Sequence, residues 1–390
     1  MLYIYCGQLA DGTSQPISQK QALIISDGRI LRIENIDQVK PSDGDTLLDL
    51  SNYTVTPGFI DCHDHVSIDI GDDAAQCAQS DARLSIIAVT NVMKMLTCGI
   101  TTMRGCGEKS YLDIEIKNAI EEGLIKGPRI LTSGHPICRT GGHGYSLSRE
   151  ADGEDDVRKA VREQLKQGVD LIKIMASGGM STKGSQPYSQ ELTDVEIQAA
   201  IDEAHRAGRK VAAHLHGGSA VKGAIAASVD SIEHGALLTE EDLKVIAESD
   251  TFLVSTAGLM QVILADPAVP EFYYQKIQRY VSRSHEILSQ ARALGVKLAV
   301  GTDTNHGRID LEIQALIRVG FSPIEALSIA TKNGAILCGL DKDLGTLEPG
   351  KIADLLAFVN DPLEDPVQFE RPILVMKNGV IEIDHRRTVS

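Results

Sequence analysis

Imidazoles, a lysine and a carboxylate recur at the ends of apolar runs in this 390-residue chain. His63 and His65 close GFIDCHDH, Lys173 sits within LIKIM, and His214 and His216 close KVAAHLHG. His234 closes SIEHG, and Asp303 lies in GTDT. In an extended run alternate side chains share a face. His63 and His65 therefore point one way and Asp64 the other, and Lys173 is in phase with Leu171 and Met175. Each residue alone has an ordinary explanation: a strand-end histidine is commonly a satisfied polar group, and Asp303 could cap the following helix. Lys173 resists such a reading, because an ammonium buried without a partner costs several kcal/mol or is forced neutral. As a set, imidazole and carboxylate donors converging on one rim make a site for a divalent, Zn-like cation.

The elements that must position these groups follow a repeating pattern. Eight short apolar runs read as strands: GFIDCHDH, GITTMRGCG, RILTSG, LIKIMASGG, KVAAHLHG, SIEHG, TFLVSTAG and KLAVGTDT. Segments with helical apolar spacing separate them. In 193–207, Thr193 and Glu196 form a capping box, Ile197, Ala200, Ile201 and Ala204 make one face, and Gly208 suits a left-handed stop. Ser322 opens another helix, with Pro323 at its first position and Glu325 behind it. Strand-helix alternation repeated this way favours an α/β fold built as a (β/α)8 TIM-like barrel, whose catalytic groups gather at the carboxyl ends of the strands. An open doubly wound sheet would be expected to carry a glycine-rich phosphate fingerprint after an early strand, and none is found. The termini differ. Residues 1–57 hold the β-type runs MLYIYCG, ALIISDGRILRIE, TLLDLS and YTVT, and the tail holds DLLAFV and the hairpin-like ILVMKNGVIEI. A small β-sandwich domain assembled from 1–57 and 347–390 is expected, with the barrel of 58–346 inserted between its halves.

Composition bounds the function. An apolar fraction of 43% with 24% charged residues is ordinary for a globular protein. A net charge of −16 argues against a nucleic-acid or membrane-surface partner, both of which need basic patches. It leaves room for an anionic small molecule, since a local metal charge overrides the global field. Seven scattered cysteines without a CxxC pair read as reduced core thiols. The opening MLYIYCGQLADG has no basic region and only a short apolar run, so a cytoplasmic location is expected.

The ordered motifs His63-x-His65 after TPGFID, Lys173 in LIKIMASGG, His214 in AAHLHG, His234 in SIEHG and Asp303 in GTDT resemble the amidohydrolase superfamily. The tail LGTLEPGKIADLLAF is similar to its closing β-segment, so the resemblance spans almost the whole chain. TGGHG, REQLKQGVDLIKIMASGG and HRAGRKVAAHLHG carry a closer similarity to its imidazolonepropionase-like branch, which includes metal-dependent prolidases, Xaa-Arg/Lys carboxypeptidases and ochratoxin-type amidases.

The resemblance implies a cofactor of two divalent metal ions, most simply Zn. His63, His65 and Asp303 hold one, His214 and His234 hold the other, and Lys173, carboxylated by CO₂, spans both at ~3.5–4 Å separation. It implies cleavage of a C–N bond by a metal-bridging hydroxide, with Asp303 moving the proton. His143, in TGGHGYS, and His216 are implied substrate contacts, His143 near the carbonyl or carboxylate. Tyr145, Tyr188, His306 and Arg308 occupy loops in which contact and solvent exposure are both open. The residual positive charge of such a centre favours a small substrate with an amide and a carboxylate, such as a dipeptide or N-acyl amino acid. Alternatives on the same centre are a deaminase or a carbamate, phenylurea, lactone or phosphotriester hydrolase; one of another class is a catalytically silent scaffold. Barrels of this type commonly associate, so a homo-oligomer is expected.

Overall fold

The computed structural model describes residues 1–386. Each of the eight expected runs is a strand: Phe59–Asp64, Ile100–Gly105, Arg129–Leu131, Leu171–Met175, Lys210–Leu215, Ser231–His234, Phe252–Ser255 and Leu298–Val300. The first three pair in parallel as one sheet. The other five pair in parallel, in chain order, as a second sheet edged by the short strands Ile137–Cys138 and Arg149–Glu150. Backbone bonds tie the two sheets at both edges. The Thr132 carbonyl accepts from Asp170 (2.8 Å) and Leu171 (3.2 Å), and the Asp303 N–H donates to the His63 carbonyl (2.8 Å).

Helices return the chain from strand to strand. Asp194–Arg206 starts at the Thr193–Glu196 capping box, buries Ile197, Ala200, Ile201 and Ala204, and is followed by Gly208 at φ +67°. Strand residues such as Phe59, Ile172, Val211 and Ile232 share one large core with helix residues such as Val92 and Ile201. Alternate residues Ile60, Cys62, Val254 and Ala299 pack with Ala335 and Leu337. Fully burying each such aliphatic side chain contributes about 1.5–3 kcal/mol, which fixes the register and hence the direction of every strand-end polar group.

The terminal strands form one mixed, seven-stranded sheet drawn from both ends of the chain. Its order runs Val380–Asp384, Leu374–Lys377, Leu355–Phe358, Thr46–Pro57, Leu2–Leu9, Ser18–Ser26, Arg29–Asn35. Two turns use left-handed pairs, Asp27-Gly28 (φ +51° and +76°) and Asn378-Gly379 (φ +54° and +73°), the geometry of two-residue hairpins. The runs TLLDLS and YTVT, separate by pattern, are one strand. A register shift between Cys6 and Gln8 of the neighbouring strand absorbs the polar break at Ser51-Asn52. Both faces of this sheet are covered, one by a cluster around Ile4, Leu23 and Leu355, the other by Tyr3, Ala22 and Ile24. All seven cysteines are free thiols.

Candidate active site

The strand Phe59–Asp64 delivers two imidazoles whose orientation is set from behind. His63 is 1% exposed, and its Nδ1 lies 2.7 Å from Glu233 Oε2. An ionised carboxylate only accepts, so Nδ1 carries the proton and Nε2 presents its lone pair, 3.6 Å from Asp303 Oδ1. His65 repeats the arrangement with a backbone acceptor: Nδ1 is 2.6 Å from the Gly107 carbonyl, and Nε2 is 3.7 Å from the same Asp303 oxygen. His63, His65 and Asp303 thus bring ligand atoms within 4.8 Å of one another, a group able to hold a metal ion.

The remaining donors close around them. His234 Nδ1 lies 2.9 Å from Thr256 Oγ1 and 3.7 Å from Asp303 Oδ2. The His234 ring centroid is 4.7 Å from that of His63 and 4.6 Å from that of His214. His214 Nε2 is 3.3 Å from the Gly178 carbonyl, which leaves Nδ1 as its lone-pair nitrogen. Lys173 is 1% exposed, and its Nζ makes no hydrogen bond or ion pair with any described residue. These six side chains line a single cavity of about 70 Å³, and His143 and His216 line it too. Tyr145 is not brought to it: the TGGHGYS loop turns at Gly144 (φ +63°), and Tyr145 is 45% exposed outside the lining. Tyr188 is likewise exposed, and Arg308 pairs with Asp310 at 2.9 Å.

Electrostatics make this a cluster of neutral bases. Burial pushes His65 down to about 4 and His216 to about 3. Burial, and then neighbouring cations, hold His63, His143, His214 and His234 well below the usual imidazole range. Burial pushes Asp303 up to about 7, against the pull of Lys173. His216 Nδ1 is buried without a partner.

A polar scaffold beneath the ligands fixes the loop carrying Asp303. Asp61 accepts from Thr302 Oγ1 (2.6 Å), the Thr302 N–H (3.1 Å) and the His63 N–H (3.1 Å). Asp64 accepts from Thr304 N–H (2.8 Å), His65 N–H (2.8 Å) and His306 Nδ1 (3.0 Å), and its Oδ2 lies 2.8 Å from the same Thr302 hydroxyl oxygen, whose single proton is shared between the two carboxylates. His234, Asp303 and Thr304 adopt φ of +73°, +45° and +72°, conformations that cost non-glycine residues roughly 1–3 kcal/mol each and cluster at functional sites. Close approach also demands glycine. A Cβ on Gly301 would stand 2.4 Å from His63 Cβ, and one on Gly179 would stand 2.3 Å from the His143 ring.

Several site residues escape sequence reasoning. Glu233 and Arg104, paired at 2.7 Å and both buried, were visible only as lone charges inside the apolar runs SIEHG and GITTMRGCG. Thr182, whose Oγ1 lies 2.8 Å from His143 Nδ1, and the cavity residues Asp73, Met180, Leu259 and Tyr273 carry no local signal.

The Amidohydrolase family profile matches residues 54–381, the span that holds every one of these donors. The chain belongs to this family. As an amidohydrolase, it is 31% identical over 421 aligned residues to the ochratoxinase of Aspergillus niger, covering 95% of this chain and 83% of that one. A solved Xaa-Pro dipeptidase with methionine bound in its active site superposes with a TM-score of 0.91 at 29% identity, covering 98% of this chain and 99% of the other. A prolidase in complex with N-methylphosphonate-L-proline gives 0.92 at 28% identity, with the same coverage. This amidohydrolase is a hydrolase acting on C–N bonds. No helix among its described residues is long and apolar enough to cross a membrane.

Proposed function

We propose that this cavity is a binuclear metal centre that hydrolyses the amide or peptide bond of a small substrate such as a dipeptide or N-acyl amino acid. The observation that carries the reading is Lys173 buried without a partner, on the same wall as four neutral imidazoles and a carboxylate raised to about 7. A lone amine is what CO₂ addition requires: the N–C bond forms, a proton leaves, and the carbamate offers two oxygens where none stood. His63, His65 and Asp303 would hold one ion, His214 and His234 the other, and carboxylated Lys173 both. When bound, such ions supply a water ionised near neutral pH and a Lewis acid for the acyl oxygen.

The chain's own groups do the rest. Asp303, at a carboxyl oxygen, takes the proton of the attacking water and returns it to the leaving nitrogen. His143, oriented by Thr182 at 2.8 Å, and His216, with its free Nδ1, hydrogen-bond the substrate's acyl or carboxylate oxygens. Met180, Leu259, Met260 and Ile277 give the cavity an apolar wall that receives a side chain and excludes water. The ochratoxinase and the two dipeptide-cleaving structures support amide cleavage over the other leaving groups. The backbone bonds at both sheet edges support closure of the eight parallel strands into a barrel, with this cavity at their carboxyl ends. The mixed terminal sheet is read as a second domain of residues 1–57 and 347–390.

The test is metal analysis with a substrate screen. Protein loaded with zinc and bicarbonate should hold about two ions per chain and cleave dipeptides or N-acyl amino acids. Lys173→Met should lose both properties. Ammonia released from heterocyclic amines, with no peptide cleavage, would turn the reading to deamination; no bound metal and no turnover would leave a silent scaffold.

A further inference from the structure

Beyond the ligand cluster, the cavity wall has a sign. Asp69 and Asp73 face it, and its described lining contains no arginine and no lysine other than Lys173. The two carboxylates differ. Asp69 is already answered, by His306 Nε2 at 3.3 Å and Asn91 Nδ2 at 3.2 Å. Asp73 has one side-chain donor, the Ser181 hydroxyl at 2.6 Å, and no ion pair. Burial pushes its carboxyl up to about 6, as expected for a partly dehydrated anion without a counter-charge.

A second group points the same way. Tyr273 is only 6% exposed, lines the same cavity, and its hydroxyl has no hydrogen-bond partner among the described residues. Burial holds its phenol well above the usual range, and the charges of Asp303 and Asp73 add to that. With no protein partner, a phenol that faces the cavity is left to donate to, and accept from, whatever binds there. A carboxylate oxygen without a side-chain donor and a phenolic oxygen with a free lone pair share one complementary group, a multi-donor cation such as an ammonium.

We infer that Asp73 and Tyr273 form a subsite for a protonated amine of the substrate. This rests on the amide-hydrolase reading and narrows it: uncharged N-acyl groups lose ground to amine-bearing acyl groups. The amine has two possible sources, the free α-amino group of a dipeptide or the end of a basic side chain. Ser181 holds one Asp73 oxygen and leaves the other to accept from the ammonium. Tyr273 Oη accepts a second N–H and donates its own proton elsewhere in the bound complex.

Three acyl-phenylalanines of equal chain length separate the sources: norleucyl-, hexanoyl- and 6-aminohexanoyl-phenylalanine, carrying an α-amine, no amine and a distal amine. With zinc-loaded full-length protein, kcat/KM for one amine-bearing compound should exceed that for the hexanoyl compound by at least about tenfold, as for a charged hydrogen bond. Preference for the norleucyl compound assigns the α-amine, and preference for the aminohexanoyl compound assigns the side chain. Asp73→Asn, which keeps the shape and the Ser181 bond, should bring that ratio close to one; Tyr273→Phe should lower it in part. Equal rates for all three compounds, or a ratio that Asp73→Asn leaves intact, overturns the subsite. If none is cleaved, the dipeptide and N-acyl amino acid reading fails separately. Calorimetric titration of the same compounds then decides the subsite: tighter binding of an amine-bearing compound that Asp73→Asn abolishes upholds it, and equal binding refutes it.

Discussion

His63 Nδ1 and Glu233 Oε2 stand 2.7 Å apart, both buried, so the direction of a strand-end imidazole is set by a carboxylate from a distant strand. Glu233 is itself anchored by Arg104 Nη2 at 2.7 Å and by the Ser231 hydroxyl. This chain of contacts fixes which nitrogen of His63 keeps its lone pair. Glu233→Gln should weaken metal retention or turnover roughly 10–100-fold, the usual cost of losing such an outer partner. It should also lower stability, because Arg104 loses its buried counter-charge. Metal content after dialysis and a thermal melt read the two effects. Unchanged values in both would remove Glu233 from the site's support.

Asp303→Asn should reduce kcat roughly 10²–10⁴-fold while leaving the circular dichroism spectrum intact. The carboxyl is the only part removed; the backbone bond from Asp303 N–H to the His63 carbonyl persists, so the loop keeps its place. Metal content should be measured beside the rate. Near-normal kcat in the metal-replete variant would rule out Asp303 as the proton carrier.

The legibility of these groups tracks how local their cause is. His63, His65, Lys173 and Asp303 stand out in the sequence because period-two burial and the strand end fall within a few residues of each. The Thr193–Glu196 box was readable for the same reason, and its helix starts there. Glu233 could be seen as an odd charge, but its partner His63 is 170 positions away, and only the packing of strands brings them together. Tyr273, on the helix Glu271–Leu294, reads as an ordinary apolar-face residue until that helix is laid across the cavity. The single strand Thr46–Pro57 looked like two because its polar break is masked by a register shift in another strand.

Gly179→Ala should lower kcat/KM by roughly 10²-fold, the cost of displacing a working group by about an ångström. The added methyl would stand 2.3 Å from the His143 ring, which must swing away from the Thr182 hydroxyl that orients it. Gly179 is buried, so the same clash should also lower the melting temperature, and the rates are compared well below it. Steady-state kinetics set against a thermal melt separate the two outcomes. Full activity would show that His143 acts in some other orientation or not at all.

His306 gives stability a pH dependence whose sign can be worked out. It is 2% exposed and bridges Asp64 Oδ2 at 3.0 Å and Asp69 Oδ1 at 3.3 Å. Burial alone would lower its pKa, but the two carboxylates outweigh burial and hold it at about 10, against about 6.5 for an unfolded imidazole. Between those values the folded chain keeps a proton that the unfolded chain has released. The stabilisation is therefore complete below about pH 6.5 and is lost as the pH climbs towards 10, by at most ~1.4 kcal/mol per unit. Urea unfolding at several pH values should show this decline in the native chain and a flatter curve in His306→Gln. Parallel curves would mean that the imidazolium between Asp64 and Asp69 is not the source.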